Sequence, residues 1–219
     1  MSIRTKYEQE LSFVFNKLVS MCRATELAIE RSVTALTTRD KELARRVMAE
    51  DKDIDVMERE IEQDCLKILL MERPVAGDFR DVSAALKMIT DLERIGDQAS
   101  DIAEIILFLD GKSGIECSDI KDMATSVIKM VNSSIEAYVK RDLELAKKVQ
   151  VADDEVDALF DKVKNALVSM ITKSETDGEF AVDMLMIAKY FERIGDHAVN
   201  VAEWVEFSLT GVHKGNIEM

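Results

Sequence analysis

Carboxylates set four residues apart are the part of this chain best suited to chemistry. Asp91-Leu92-Glu93-Arg94-Ile95-Gly96-Asp97 returns ninety-nine positions later as Tyr190-Phe191-Glu192-Arg193-Ile194-Gly195-Asp196. On a helix, Glu-x-x-x-Asp puts two carboxylates one turn apart, roughly 6 Å along the axis, so each copy offers paired hard oxygen donors. Upstream, Asp51-x-x-Ile54-Asp55 matches Asp153-x-x-Val156-Asp157 at an offset of 102, as does Arg39-Asp40-x-Glu42-Leu43-Ala44 with Arg141-Asp142-x-Glu144-Leu145-Ala146. One connection therefore differs by three residues between the halves. It falls between the second and third helices, where Arg73-Pro74-Val75-Ala76 has no counterpart.

The elements that must position these acids are helices. One proline and eight glycines punctuate long periodic segments, and alternation of the strand type is missing. The spacing predicts helices over 4–37, 40–72, 78–110, 118–139, 142–173 and 179–210, with boundaries good to about two to four residues. Met88, Leu92, Ile95, Ala99, Ile102, Ile106 and Leu109 form a four-three seam on the third helix, and Met184, Ala188, Phe191, Ile194, Ala198, Val201 and Val205 repeat it on the sixth. Short connections imply antiparallel neighbours. The expected fold is all-α: two pseudo-symmetric antiparallel three-helix bundles, spanning 1–112 and 113–219.

At 100° per residue, Glu93, Asp97, Asp101 and Glu104 fall nearly opposite the seam, outside the core. Asp51 and Asp55 flank the stripe of Val47, Ile54, Ile61 and Cys65, and Asp153 and Asp157 do likewise on the fifth helix. Folding back near residue 75 sets residue 55 beside 95 and 51 beside 99, and a turn near 175 sets 157 beside 194 and 153 beside 198. Two acidic pairs thus share a level in each half. Each like-charge pair at i,i+4 costs about 0.2–0.5 kcal/mol, which a cation would remove. All-oxygen ligation suits magnesium, calcium, manganese or ferric iron better than a structural zinc site. His197 is rotated about 100° from Asp196 and replaces Gln98 of the first copy, so it is not counted among the ligands. Gly96 and Gly195, inside helices, predict close approach of a ligand or a neighbouring helix. Arg94 and Arg193 are expected to pair with adjacent acids.

Composition removes several classes of function. A net charge of -14, from 43 acidic and 29 basic side chains, disfavours nucleic acid as a partner. Cys22, Cys65 and Cys117 have no C-x-x-C spacing and are expected as buried free thiols of a reducing cytoplasm. The twelve methionines, Trp204 and Phe207 belong to core and seam rather than a cofactor box. The opening residues show no apolar h-region, so export is not expected, and the apolar stretch from Ile102 to Leu109 is too short to insert in a membrane. Oxygen-activating di-metal enzymes use inward-facing Glu-x-x-His motifs. Here only His197 and His213 exist, three residues after Ile194 and Thr210, and no GxxxxGK loop occurs. An enzyme is not expected; a metal-free interaction scaffold is the alternative.

Pro74-Val75-Ala76-Gly77-Asp78-Phe79-Arg80, Leu92-Glu93-Arg94-Ile95-Gly96-Asp97 and Phe191-Glu192-Arg193-Ile194-Gly195-Asp196-His197-Ala198-Val199-Asn200 resemble the PhoU family of phosphate-uptake regulators, over essentially the whole chain. The resemblance implies paired three-helix bundles, often homodimeric, with multinuclear iron or zinc clusters on the bundle surfaces of some members. On that pattern the ligands are Asp51, Asp55, Glu93, Asp97 and Asp101, then Asp153, Asp157, Glu192, Asp196 and Asn200. Asp101 becomes Asn200 in the second copy, so the sites should differ in charge. The resemblance further implies a cytoplasmic adaptor that reaches the inner membrane only through protein partners. It would repress phosphate-starvation signalling by contacting a sensor histidine kinase and the ATPase subunit of the phosphate ABC transporter.

Overall fold

The computed structural model describes residues 3–71, 76–109, 118–174 and 176–212. They form six helices: α1 (Ile3–Thr38), α2 (Lys41–Met71), α3 (Ala76–Phe108), α4 (Ser118–Lys140), α5 (Leu143–Thr172) and α6 (Gly178–Thr210). Each boundary lies within two residues of the expected one, and no strand occurs among the described residues. The Pro74-Val75 turn, the connection around 112/113, Cys117 and His213 lie outside the described residues.

The duplication is visible in the turns. Arg39 closes α1 at φ 56° and Arg141 closes α4 at φ 55°, left-handed positions that non-glycine residues seldom occupy. Next to each, an aspartate caps the following helix: Asp40 Oδ1 accepts from Leu43 N at 2.9 Å, and Asp142 Oδ1 accepts from Leu145 N at 3.0 Å. Such a cap contributes about 1 kcal/mol. Asp177 caps α6 through Glu179 N, and left-handed Gly211 ends it.

Within each half the helices pack as expected, α1 with α2 and α3, and α4 with α5 and α6. The halves also meet directly, α3 against α6 and α1 against α4, so one buried apolar cluster runs through both. Leu92, Ile95, Ala99 and Ile102 of α3 are fully buried, as are Phe191, Ile194, Ala198 and Val201 of α6. Truncating one of the large side chains to alanine costs about 2–5 kcal/mol. Cys22 and Cys65 are buried free thiols, pushed up to about 12 chiefly by burial. Trp204 packs against the core and meets Phe207 edge to face at 5.7 Å. No helix among the described residues is long and apolar enough to cross a membrane.

Candidate metal centre

In the first half α2 and α3 bring their acids together at the level expected from the turn. One carboxylate oxygen each from Asp55, Glu93 and Asp97 lie within 4.8 Å of one another, and all three side chains are half-buried. Asp51 leans over α3 beside Gly96, where an added Cβ would stand 2.9 Å from Ile54 Cδ1 and 3.2 Å from Asp51 Oδ1. The missing side chain at Gly96 is what lets α2 and Asp51 approach α3, but Asp51 is not one of the three converging acids. Burial, reinforced by Asp97, Asp55 and Asp101, raises Asp51 to about 6. Glu93 is raised by burial and by Asp97, against a smaller opposing effect of Arg94, and Asp101 is raised by burial, Asp97 and Glu104. Arg94 Nη1 sits 3.0 Å from Asp97 Oδ2 and its Nε 3.5 Å from Glu93 Oε2, while Arg59 Nη2 lies 3.6 Å from Asp55 Oδ2.

The second half repeats the plan with a different periphery. A Cβ on Gly195 would stand 2.9 Å from Asp153 Oδ1, so this glycine opens the same door for α5. Asp153 is raised to about 6 by burial, then by Asp196, Asp157 and Glu192. Its Oδ1 is buried without a hydrogen-bond partner. Burial and Glu192 raise Asp196, against Lys189 and His197. Lys189 Nζ bonds both oxygens of Glu192 from one turn earlier, and Asp157 and Asp196 are exposed. The close three-oxygen group of the first half has no equivalent among the described residues here.

Asp101 and Asn200, the fifth residues of the two expected sets, are engaged across the α3–α6 seam. Tyr190 hydrogen-bonds Asp101, whereas Asn200 Nδ2 donates to Asp91 Oδ1 at 3.1 Å. His197 Nδ1 donates to the same oxygen at 2.9 Å, which accounts for this histidine without a ligand role. By the ninety-nine-residue repeat Asp91 corresponds to Tyr190 and Asp101 to Asn200. The two contacts are thus one position used twice with exchanged chemistry. Sequence reasoning missed Asp91 and Tyr190, because finding them requires the antiparallel α3–α6 register. Lys189 was also missed, although its i,i+3 spacing to Glu192 was a readable signal.

The acids on α3 are less exposed than a position opposite the seam suggests. Only Glu104 of these four is exposed, while Glu93, Asp97 and Asp101 are half-buried. The reason is that α3 packs on α1, α2 and α6 at once, so its covered arc is wider than a single stripe.

A hard cation fits the first group. Three carboxylate oxygens lie close enough to converge on one ion, Asp51 is destabilised as an anion, and a glycine clears its approach. In the second half the orphaned Asp153 Oδ1 and the Gly195 cradle fit a cation as well, but Lys189 already neutralises one donor. A bound cation would supply charge neutralisation and tie α2 to α3, or α5 to α6.

The repeated three-helix unit, with acids on the same two helices of each copy, defines a tandem-repeat all-helical protein. A family model described as PhoU domain matches residues 18–106 and again 120–205. The chain belongs to the PhoU domain family. It is 34% identical to the phosphate-specific transport system accessory protein PhoU homolog of Clostridium acetobutylicum, across 95% of this chain and 96% of that one. Homolog 1 of Thermotoga maritima is 33% identical over 94% of this chain and 89% of its own length. Among solved structures, PhoU from Pseudomonas aeruginosa superposes with a TM-score of 0.88 at 32% identity, covering 94% of this chain and 100% of that one. The phosphate transport system regulatory protein PhoU from Streptococcus pneumoniae reaches 0.89 at 22% identity, covering 94% and 98%, and supports the fold.

Proposed function

We propose that this chain is an accessory regulator of a phosphate transport system rather than an enzyme. The observation that carries this reading is the full-length match to proteins named as accessories of that system, at 34% identity over 95% of the chain. The architecture supports a binding role: long helices with exposed Phe13, Leu70, Phe79 and Phe108 offer contact surface, and the charge of -14 favours basic partner surfaces. In this reading the protein works in the cytoplasm as a homodimer. It contacts the transporter ATPase and the sensor histidine kinase, and represses starvation signalling when phosphate is plentiful. The acidic sites hold a multinuclear cluster in which iron is favoured over zinc, manganese, magnesium or calcium.

A crosslinking pull-down from phosphate-replete cells, with this chain at native abundance as bait, tests the partners. Recovery of the transporter ATPase or the sensor kinase is the expected result, and their absence with folded, abundant bait would sink the adaptor reading. The metal half is tested separately, by metal content and thermal shift of dialysed, tag-free protein.

One observation favours a metal-free scaffold. Arg94, Arg59 and Lys189 already pair with Glu93, Asp97, Asp55 and Glu192, so the acids have internal counter-charges. Under that reading Asp97→Ala and Asp196→Ala leave both stability and regulation unchanged.

A further inference from the structure

Away from the acids, the groove between α4 and α5 contains a cavity of about 390 Å³, within the size range of small-molecule sites. Its polar lining is unusual for so acidic a chain: Lys129, Lys148 and the hydroxyls of Thr125, Ser126 and Ser133. Neither lysine pairs with a carboxylate among the described residues, and the Ser126 and Ser133 hydroxyls are likewise unused there. Met130, Val149 and Ala152 supply an apolar wall.

The other half shows why the space exists. Arg39 and Arg141 share one left-handed turn position, which fixes the offset of 102 between α1–α2 and α4–α5. At the equivalent place in the first half, Arg31 on α1 bonds Glu50 on α2 and bridges the groove. The second half has Ser133 and Ala152 at those two positions. Both arms of the bridge are replaced by short side chains, and the groove stays open.

Polarity within the cavity is graded along the helices. Lys162 Nζ meets Asp119 Oδ1 at 2.7 Å, and equal rise from that contact sets Lys148 level with Ser133, Lys129 with Ala152 and Glu155 with Ser126. The Lys148–Ser133 end therefore carries no acid, Lys129 lies midway, and the far end carries Glu155, the single acid among the lining residues, beside Thr125 and Ser126. Two ammonium groups and a hydroxyl suit an oxyanion. The apolar wall suits an organic body beyond it, and Glu155 repels a second charged phosphate.

We propose that this cavity binds a phosphate monoester, its phosphoryl group held by Lys148, Ser133 and Lys129 and its body laid over Ala152, Met130 and Val149. The site needs no metal, and none of its lining residues belongs to the acidic clusters. Calorimetric titration of the full chain in chelator with AMP, ATP and inorganic phosphate tests it. Saturable one-to-one binding of AMP is expected, weaker for ATP. Inorganic phosphate matching AMP would assign the affinity to the phosphoryl group alone, and AMP in large excess over it would assign an organic ester. Lys129→Ala with Lys148→Ala should weaken AMP at least tenfold. Ser133→Arg with Ala152→Glu, which rebuilds the first-half bridge, should abolish binding while circular dichroism shows helix content unchanged. No saturation by AMP or phosphate at concentrations on the order of 10 mM, tighter binding of ATP than AMP, or indifference to both folded variants would overturn the proposal.

Discussion

The two acidic groups share a backbone plan and differ at their margins. Asp51 beside Gly96 and Asp153 beside Gly195 are the same contact made twice, and both aspartates are raised to about 6. Around that common centre, the first half keeps Asp101 where the second has Asn200, and Thr90 where the second has Lys189. Thr90 hydroxyl donates to Glu58 at 3.2 Å, leaving Glu93 to α3 and its neighbours, whereas Lys189 takes Glu192. The lesson is that the duplicated core fixes where the carboxylates stand, and single peripheral residues set how much uncompensated negative charge each site carries.

Removing one carboxylate from each acidic group should separate the halves most widely. Asp97→Ala takes an oxygen from the close trio of the first half and should lower its affinity for a hard divalent or ferric ion by about 100-fold, or about 2.7 kcal/mol. Asp196→Ala removes an exposed donor from a site already partly neutralised, and about tenfold is expected there. Competition titrations against a metal indicator, run on each variant, check the difference. Equal losses would mean that the periphery does not distinguish the sites.

The glycines give the next largest effect. In Gly195→Ala the new methyl would stand 2.9 Å from Asp153 Oδ1 and push that carboxylate away directly. In Gly96→Ala the nearest atom is the mobile end of Ile54, with Asp51 Oδ1 farther at 3.2 Å. Cation affinity should therefore fall by about tenfold in the second half and less in the first. Helix propensity opposes any loss of stability by about 1 kcal/mol in both variants, so affinity rather than melting temperature is the readout.

Much of this arrangement was legible in the chain itself. Helix ends, the repeat, and the sharing of a level by Asp55 with Glu93 and Asp97 follow from periodicity and constant rise. These are properties of one helix or of two joined by a short turn. What was not legible depends on packing between the halves: Asp91 with His197 and Asn200, Tyr190 with Asp101, and the burial of α3 on three sides. Such contacts join residues about a hundred positions apart, and no pattern within either helix sets their register. The opening of the α4–α5 groove was equally hidden, because it arises from two short side chains on different helices.

A pH series tests the feature the halves share. In the folded chain Asp51 and Asp153 titrate at about 6, above the ordinary carboxylate range, with burial the leading cause in both. Between pH about 4 and about 6 the folded state holds more protons than the unfolded one, so stability falls as pH rises through that window. In chelator, the melting temperature should drop over that range, and Asp51→Asn or Asp153→Asn should each flatten part of the slope. A cation competes with those protons, so its binding should strengthen across the same window. A flat profile in both wild type and variants would show that neither aspartate is held as an unfavourable anion.

The smallest expected effect isolates Lys189. Lys189→Thr copies Thr90 of the first half and frees Glu192 from its internal counter-charge. Because an i,i+3 pair of this kind contributes only about 0.2–1 kcal/mol, the second site should gain about two- to fivefold in cation affinity. The first site should not change, and the chain should lose little stability. The reciprocal Thr90→Lys should weaken the first site by a similar factor by setting an ammonium beside Glu93. If the two substitutions shift their sites in opposite directions, the difference between the halves rests on counter-charge; if neither moves, it rests on the greater burial of Asp55 and Asp97 over Asp157 and Asp196.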